Sequence, residues 1–279
     1  MQFKIMASRH SAFYTPLLTA IQFLREDGHD VSYSVLARGQ RSHELIRDGA
    51  VDIIQSAVSS NWPPREKGIS PLPVHFAQIN CRDGFFLAAH RSESFAWKNL
   101  EGKTLLADHG LQPLVMLKYA VQYNGVDWSR IRIIDAGTPP EMEAAFRSGT
   151  ADYIHSQAPI ASGEYLVSVG ASMPRVAFSS LCCAIHYQHT TGYRVFLEAF
   201  GRAKQWSQTA PPAEVAAMEA AFFEGVSLTS LADAIARYQS VGNWEGGIEI
   251  PRDLYEQALT VFESAGAISR RHPYEEVVG

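Results

Sequence analysis

The strongest constraint on the fold is a short stretch that occurs twice in the chain. The first copy runs from Arg47 to Ser56 and the second from Arg147 to Ser156, and Arg, Gly, Asp, Ile and Ser recur at the same spacing. In each copy a helical pattern precedes the glycine, a residue that often ends a helix in the left-handed conformation. A short apolar run follows the glycine and indicates a buried strand.

The similarity extends upstream of both copies. Each is preceded by a strand pattern, a polar turn, a helical pattern and a second strand pattern: residues 3–7, 8–11, 14–25 and 31–36 before the first copy, and residues 104–107, 108–110, 113–123 and 131–134 before the second. Repetition on this scale is too long for a solenoid and predicts two similar lobes. Any α/β chain can yield such patterns, but the shared Arg-x-Gly-x-x-Asp-x-Ile-x-Ser favours a repeat.

Composition narrows the class of protein. The chain has 279 residues, of which 46% are hydrophobic and 19% charged, which suffices for two lobes with real cores. A net charge of −5, with no basic cluster beyond Arg270-Arg271, argues against a nucleic-acid partner. No stretch approaches the roughly 18 to 20 apolar residues that span a membrane, so we expect no membrane insertion.

The N-terminus does not read as a secretory signal. It lacks a basic region followed by a long apolar run and a small-residue cleavage site. The predicted location is therefore cytoplasmic as the sequence stands, or periplasmic if a leader has been removed.

The rest of the chain suggests how the lobes are connected. Two prolines at 63 and 64 predict an exposed loop over residues 61–68. Strand patterns at 74–80 and 85–90, and a long apolar run at 176–185, predict two crossings between the lobes, with hinges near 81–86 and 180–184. The predicted first lobe comprises residues 1–85 plus 185–279, including helices near the C-terminus, and the second comprises residues 86–184.

The cysteines give no sign of a disulfide framework. Cys81, Cys182 and Cys183 are odd in number and lack framework spacing. The adjacent pair lies in an apolar run, and we interpret it as two strand residues that face opposite sides. A thiol pair for redox or metal chemistry is the alternative, but no His or Cys lies at ligand spacing to support it. The sequence predicts no metal and no cofactor.

Candidate ligand-binding residues follow the predicted strands. In open α/β sheets, ligands bind beyond the carboxyl ends of the strands, often at helix N-termini. In the first predicted lobe these positions are Ser8, Arg9, His10, Tyr14, Gly39, Gln40, Ser56, Ala57, Asn80 and Arg82. In the second they are Asp108, His109, Gly110, Gly137, His155, Ser156 and Gln157. The guanidinium groups of Arg9 and Arg82 are the predicted anion partners.

Several candidates have a structural alternative. Asp52 and Asp152 come three residues after a helix-ending glycine, and we expect them to hydrogen-bond the turn rather than a ligand. Ser8 has an alternative role as a helix N-cap. Each candidate histidine, taken alone, is more often a surface or hydrogen-bonded residue, but three of them at strand ends favour a pair in the site. Sequence motifs for a catalytic nucleophile are absent.

These residues resemble a known superfamily. Leu100-Glu101-Gly102-Lys103-Thr104, Gly149-x-x-Asp152 with Ala158-Pro159, and Gly49-x-x-Asp52 are similar to motifs of type II periplasmic binding proteins. Within that group the chain resembles the nitrate, sulfonate and taurine substrate-binding proteins and their thiamine-pyrimidine-synthase relatives, over most of residues 1–200. The resemblance implies an α/β fold of two lobes, each a mostly parallel sheet flanked by helices, with a helical C-terminal part.

The resemblance also implies a function. It predicts a substrate-binding protein that closes by a hinge on a small polar or anionic molecule, with an ABC permease as partner. The alternative is an intracellular enzyme on the same scaffold: a decarboxylase or dehydratase, with His10, His109 or Asp108 as acid or base, or a thiamine-pyrimidine-synthase-like protein. That last version lacks a lysine at a predicted cleft position. A third alternative is a regulatory sensor whose helical C-terminal part contacts a partner.

Overall fold

A computed structural model of the chain, which describes residues 1–37 and 39–279, shows two lobes, each built on its own sheet. The described strands of the first sheet are β1 (Gln2–Ala7), β2 (Asp30–Val35), β3 (Ile53–Ser56), β4 (Val74–Asn80) and β10 (Ser179–Cys183). Their order is β2-β1-β3-β10-β4. Strands β2 and β3 run parallel to β1, whereas β10 runs antiparallel to both of its neighbours.

The second sheet repeats this arrangement. Its described strands are β5 (Phe85–Ala89), β6 (Thr104–Leu106), β7 (Arg132–Ile134), β8 (Tyr153–Gln157) and β9 (Glu164–Ser168). Their order is β7-β6-β8-β5-β9, with β7 and β8 parallel to β6 and β5 antiparallel to both neighbours. The two sheets therefore share one topology, as the sequence repeat predicts.

Helices cover the sheets, and those that end the chain complete the first lobe. The described helices are α1 (Thr15–Glu26), α2 (Ser42–Arg47), α3 (Trp62–Glu66), α4 (Leu111–Tyr123), α5 (Pro139–Arg147), α6 (Thr191–Thr209), α7 (Pro212–Glu219), α8 (Leu228–Ser240) and α9 (Arg252–Ser264). Helices α6 and α7 pack on α1, while α9 packs against α4 of the second lobe. None of the described helices is long and apolar enough to cross a bilayer.

The repeated junction is the same in both lobes. Gly49 and Gly149 follow α2 and α5 with φ of 68° and 80°, which glycine adopts without a Cβ penalty. Asp52 accepts a hydrogen bond from the backbone N–H of Lys4 at 2.8 Å, and Asp152 accepts one from Thr104 at 2.8 Å. Each aspartate thus ties its own strand to the start of the neighbouring strand, rather than closing its own turn.

One local prediction is wrong. Residues 62–66 form the short helix α3 and not an exposed loop, and Trp62 is fully buried. The two prolines follow Trp62 in the first turn, where backbone N–H groups have no partner within the helix, so proline removes no hydrogen bond.

Two segments connect the lobes. The chain leaves the first sheet after Asn80, enters the second at Phe85, and returns to the first sheet at Ser179. Strand β10 thus belongs to the first sheet, although the predicted boundary at residue 184 lies after it. The segments meet where Gly170 packs on Asp83, and a Cβ on Gly170 would lie 2.1 Å from the Asp83 carbonyl oxygen. Only a glycine fits this contact.

The adjacent cysteines lie on opposite faces of β10. Cys183 packs in the main core, whereas Cys182 packs with Ile46, Val51 and Ile54 in a smaller cluster. Both are buried free thiols, and burial raises the pKa of Cys183 to about 12. The predicted strand orientation is confirmed, and such a thiol is a poor nucleophile near neutral pH.

Candidate functional site

A cavity of about 240 Å³ lies between the two lobes, which we call the first cavity. It is lined from the first lobe by the turn after β1 and the segment after β3, and from the second lobe by the start of α4 and the end of β8. Its lining residues are Ser8, Arg9, Tyr14, Gln55, Ser56, Ala57, Ser59, Ser60, Phe85, Leu111, Gln112, Pro113, Gln157, Phe178 and Ser179. The predicted positions Ser8, Arg9, Tyr14, Ser56, Ala57 and Gln157 are among them.

An ion pair crosses the cleft beside this cavity. The guanidinium of Arg9, in the first lobe, pairs with the carboxylate of Asp108, in the second. The side chains are 28% and 10% exposed, so water screens the pair only partly. Arg9 also lies 5.8 Å from the centroid of the Phe85 ring. Arg9 is the charged side chain among the described residues that line the first cavity.

Hydrogen bonds to β3 hold the turn that carries Arg9. The backbone N–H and the hydroxyl of Ser8 both donate to Oε1 of Gln55, at 3.1 and 2.8 Å. The amide nitrogen of Gln55 donates in turn to the carbonyl oxygen of Ser56. Ser8 is therefore fixed by a side-chain network, and the hydroxyl that caps the following 3-10 helix belongs to Ser11.

Hydrogen bonds between residues that line the first cavity also link the lobes. The Ser59 hydroxyl, in the 3-10 helix Val58–Asn61, donates to Oε1 of Gln112 in α4 at 3.0 Å. The Gln112 amide then donates to the Phe178 carbonyl oxygen at 2.6 Å. Both helices begin at the cleft, so the positive end of the α4 dipole faces the cavity.

His155 lies close enough to the ion pair to feel the charges of Arg9 and Asp108, and it has no exposed surface. Its ring stacks on Phe85 with centroids 4.4 Å apart. Neither ring nitrogen has a hydrogen-bond partner among the residues that the structure describes. Burial lowers the pKa of His155 to about 3, and the nearby Asp108 carboxylate opposes that shift only in part. The imidazole is therefore neutral near pH 7.

A second cavity, of about 350 Å³, shares Arg9 and Gln157 with the first cavity. Its described lining residues are Arg9, His10, Ser11, Ala12, Pro139, Pro140, Glu143, Ser156, Gln157, Ala158, Pro159, Phe223 and Val226. Nδ1 of His10 lies 3.1 Å from the Tyr33 hydroxyl, and burial lowers the pKa of His10. The predicted positions His10 and Ser156 thus lie on this second cavity.

The remaining candidates of the first lobe lie away from both cavities. Gly39 is exposed, and Gln40 accepts a hydrogen bond from the Ala37 backbone beside a separate surface depression. Asn80 is fully buried and donates to the Phe13 carbonyl oxygen. Arg82 donates to the Gly170 carbonyl oxygen at 3.2 Å, where the connecting segments meet. The structure thus separates the two predicted anion partners, with Arg9 in the cleft and Arg82 at the connection.

In the second lobe, Gly110 supports Asp108, since its backbone N–H donates to Oδ1 of that residue at 2.7 Å. Nδ1 of His109 lies 2.9 Å from the Ala107 carbonyl oxygen and 3.8 Å from Oδ1 of Asp135. Gly137 lies in the turn after β7, where its N–H donates to the same Asp135 oxygen. His109 and Gly137 therefore order turns at the rim and line neither cavity.

Sequence reasoning missed Gln55, Ser59, Ser60, Phe85 and Gln112. Ser59 and Ser60 continue the polar segment after β3, so a longer window at that strand end finds them. Gln112 is in the first turn of α4, a position that the helix-terminus argument already favours. Gln55 and Phe85 lie inside strands, and only the packing of the lobes brings them to the cleft. Among the described residues, no group of three or more His, Cys, Asp or Glu side chains is placed to hold a metal ion.

Known proteins share this architecture without close sequence similarity. No family model matches the chain, and no curated protein is similar to it in sequence. The ligand-binding component of an ABC-type import system from Staphylococcus aureus, solved with zinc bound, superposes with a TM-score of 0.78 at 13% identity, covering 100% of this chain and 96% of that one.

Two sulfonate-binding proteins are also similar in structure. The periplasmic aliphatic sulphonate-binding protein SsuA from Escherichia coli has a TM-score of 0.72 at 16% identity, over 100% of this chain and 92% of that chain. The alkanesulfonate-binding protein SsuA from Xanthomonas axonopodis pv. citri, bound to MOPS, has a TM-score of 0.70 at 13% identity, over 100% and 98%. At identities this low, the structural similarity shows the fold alone. The chain has the two-lobed type II periplasmic-binding-protein fold.

Proposed function

We propose that the protein binds a small anionic molecule between its lobes, which close on it as in an ABC-type substrate-binding protein. The observation that carries this proposal is the Arg9–Asp108 ion pair, which joins the lobes at the wall of an inter-lobe cavity. A guanidinium recognises carboxylate, sulfonate or phosphonate through paired N–H groups. The ligand takes over Arg9 from Asp108, or shares it.

The surroundings of Arg9 favour an anion further. The N-terminus of α4 faces the first cavity and adds partial positive charge there. The Ser60 hydroxyl, which has no hydrogen-bond partner among the described residues, supplies a donor to a further oxygen atom of the ligand, whereas those of Ser8 and Ser59 already donate to Gln55 and Gln112. A cavity of about 240 Å³ suits a small molecule and not a polymer. Sulfonates are the first probes, because two structural neighbours are sulfonate-binding proteins.

Closure follows from contacts that exist only when the lobes meet. The Arg9–Asp108 pair and the Ser59–Gln112 hydrogen bond both cross the cleft, and Arg9, Ser59 and Gln112 line the first cavity. A ligand that touches both walls adds to these contacts and shifts the population toward the closed state. The connecting segments around Asp83 and Gly170 are the expected hinge.

The test is a titration of Arg9→Gln with short alkyl sulfonates, carboxylates and phosphonates, followed by calorimetry and thermal shift. Loss of one charge-assisted contact, of about 1.5–3 kcal/mol, raises Kd roughly 10- to 100-fold. Asp108→Asn acts in the opposite direction, because it frees Arg9 and removes a competing negative charge. Small-angle scattering of the same samples reports compaction on ligand binding.

Arg202→Gln is the matched control, since it breaks an Arg–Asp pair on the surface of the first lobe, with Asp27. It should leave Kd unchanged. Equal affinity of parent and Arg9→Gln for every bound anion would contradict the proposal. Product analysis of each bound probe tests the enzyme alternative, because a converted ligand would establish catalysis.

A further inference from the structure

The first and second cavities are adjacent, because Arg9 and Gln157 line both of them. Both lobes contribute to both cavities: the turn after β1 and the end of β8 reach each one. A ligand whose acidic group binds Arg9 therefore has space to extend into the second cavity.

The second cavity contains a carboxylate that lacks part of its hydrogen bonding. Oε1 of Glu143, in α5, accepts from the Ala161 backbone N–H at 3.3 Å. Oε2 of Glu143 is shielded from solvent and has no hydrogen-bond partner among the described residues. Shielding a carboxylate oxygen from water without a hydrogen bond costs free energy, so a hydrogen-bond donor from a ligand would stabilise this atom. The second cavity supplies the space for one.

The remaining lining of the second cavity suits an amine. Among the described lining residues, Arg9 and Glu143 carry formal charge, and much of the rest is apolar. The ring of Phe223 lies on the cavity and packs on His10 with centroids 4.6 Å apart. A carboxylate and an aromatic ring that line the same cavity are both groups that attract an ammonium group.

Charge balance points the same way. Among the described residues that line the two cavities, the cation is Arg9, which pairs with Asp108 and shares the second cavity with Glu143. A simple anion bound at Arg9 would add a third negative group to this cation and two carboxylates, in a partly desolvated cleft. A ligand that also carries a positive group removes this imbalance.

We infer that the ligand is amphoteric, with an acidic group at Arg9 in the first cavity and an amine at Glu143 in the second. This inference rests on the proposed function and defines its ligand class. Glu143 is then the specificity-determining residue, because it distinguishes amino acids in the broad sense from simple acids of the same length.

The test uses matched probes that differ only in the amine: 3-aminopropanesulfonate and propanesulfonate, 2-aminoethylphosphonate and ethylphosphonate, and β-alanine and propionate. Calorimetry gives Kd for each probe with the parent protein, Glu143→Gln and Glu164→Gln. We expect at least one amine-bearing probe to bind the parent about tenfold more tightly than its partner. In Glu143→Gln that ratio should fall close to one, because the amide keeps the bond to Ala161 but loses the charge.

Glu164→Gln is the control, an exposed glutamate in the same lobe, and it should keep the parental ratio. Equal binding within every pair by the parent, or an undiminished ratio in Glu143→Gln, would overturn the inference and leave the anion site standing. If no probe of either kind binds, the proposed function fails and the inference fails with it.

Discussion

The two lobes use the same backbone plan for different purposes at the cleft. In the first lobe, Ser8 directly follows β1 and donates two hydrogen bonds to the side chain of Gln55 in β3. The amide oxygen and the amide nitrogen of Gln55 are both hydrogen-bonded. The equivalent positions of the second lobe are Asp108 after β6 and His155 in β8. Here Asp108 reaches across to Arg9, and both nitrogens of His155 lack a partner among the described residues.

This difference shows which positions of a duplicated fold can differ in side chain between the two copies. The strand pairing is repeated, with Ile5 opposite Ile53 in one lobe and Leu105 opposite Tyr153 in the other. The side chains that follow the strands make no contribution to that pairing, so they can diverge without loss of the sheet. At these equivalent positions, the first lobe has a fully hydrogen-bonded pair, Ser8 and Gln55, whereas the second lobe has Asp108, whose charge pairs with the first lobe.

The largest expected effect comes from making the second lobe like the first. With a pKa near 3, His155 stays neutral in the folded protein, whereas in the unfolded chain it takes up a proton below about pH 6.5. The stability that arises from this difference in pKa is fully present above about pH 6.5 and is lost as pH falls toward 3. The free energy of unfolding should therefore fall by about 2 kcal/mol between pH 7 and pH 5 because of His155. His155→Gln should lack that loss.

Urea denaturation of parent and His155→Gln at pH 7 and pH 5 measures this difference. Other groups with shifted pKa, such as His75 and Asp83, are common to both proteins and cancel in the comparison. His186→Gln, which removes an exposed histidine, is the control. The same acid-induced loss in parent and His155→Gln would show that His155 is protonated in the folded state.

A smaller effect is expected where the lobes are alike. Gly49→Val and Gly149→Val each place a β-branched residue at positive φ, which costs about 1.5 kcal/mol. Apart from the adjacent residues in the chain, no atom of the described residues lies within 4 Å of a Cβ at either position, so the penalty is conformational in both. Chemical denaturation should give equal losses; a clearly larger loss in one lobe would mean that the repeated junctions are energetically different.

The smallest effect should come from the two repeated aspartates. Asp152 accepts from both the backbone N–H and the hydroxyl of Thr104, whereas Asp52 accepts from the backbone N–H of Lys4. The Thr104 N–H lowers the pKa of Asp152. We expect Asp152→Ala to cost about 1 kcal/mol and Asp52→Ala about half of that, since Asp152 is exposed, Asp52 is half-buried and Asp152 accepts one more hydrogen bond. A reversed order in thermal melts would contradict this ranking.

The candidate site was predicted unevenly, and the reason is geometric. Ser8 and Arg9 follow β1 and Gln157 ends β8, and the rule that ligands lie beyond strand ends finds such residues without a structure. The same rule also selected Asn80 and Arg82, although a hinge was predicted near residues 81–86, because the rule does not distinguish a strand end at the cleft from one that enters a connecting segment. Glu143 was not found at all, since a glutamate in a helix is ordinarily solvated.

The sequence by itself determined the repeat, the β-α-β-α-β order of each lobe and the glycines that end α2 and α5. These are local properties, because hydrophobic period and backbone conformation depend on neighbouring residues. Only the tertiary structure decided that Arg9 meets Asp108, that Gln112 meets Ser59, and that Glu143 faces a cavity between the lobes. Such contacts join residues far apart in the chain, and their existence depends on how two separately formed lobes pack.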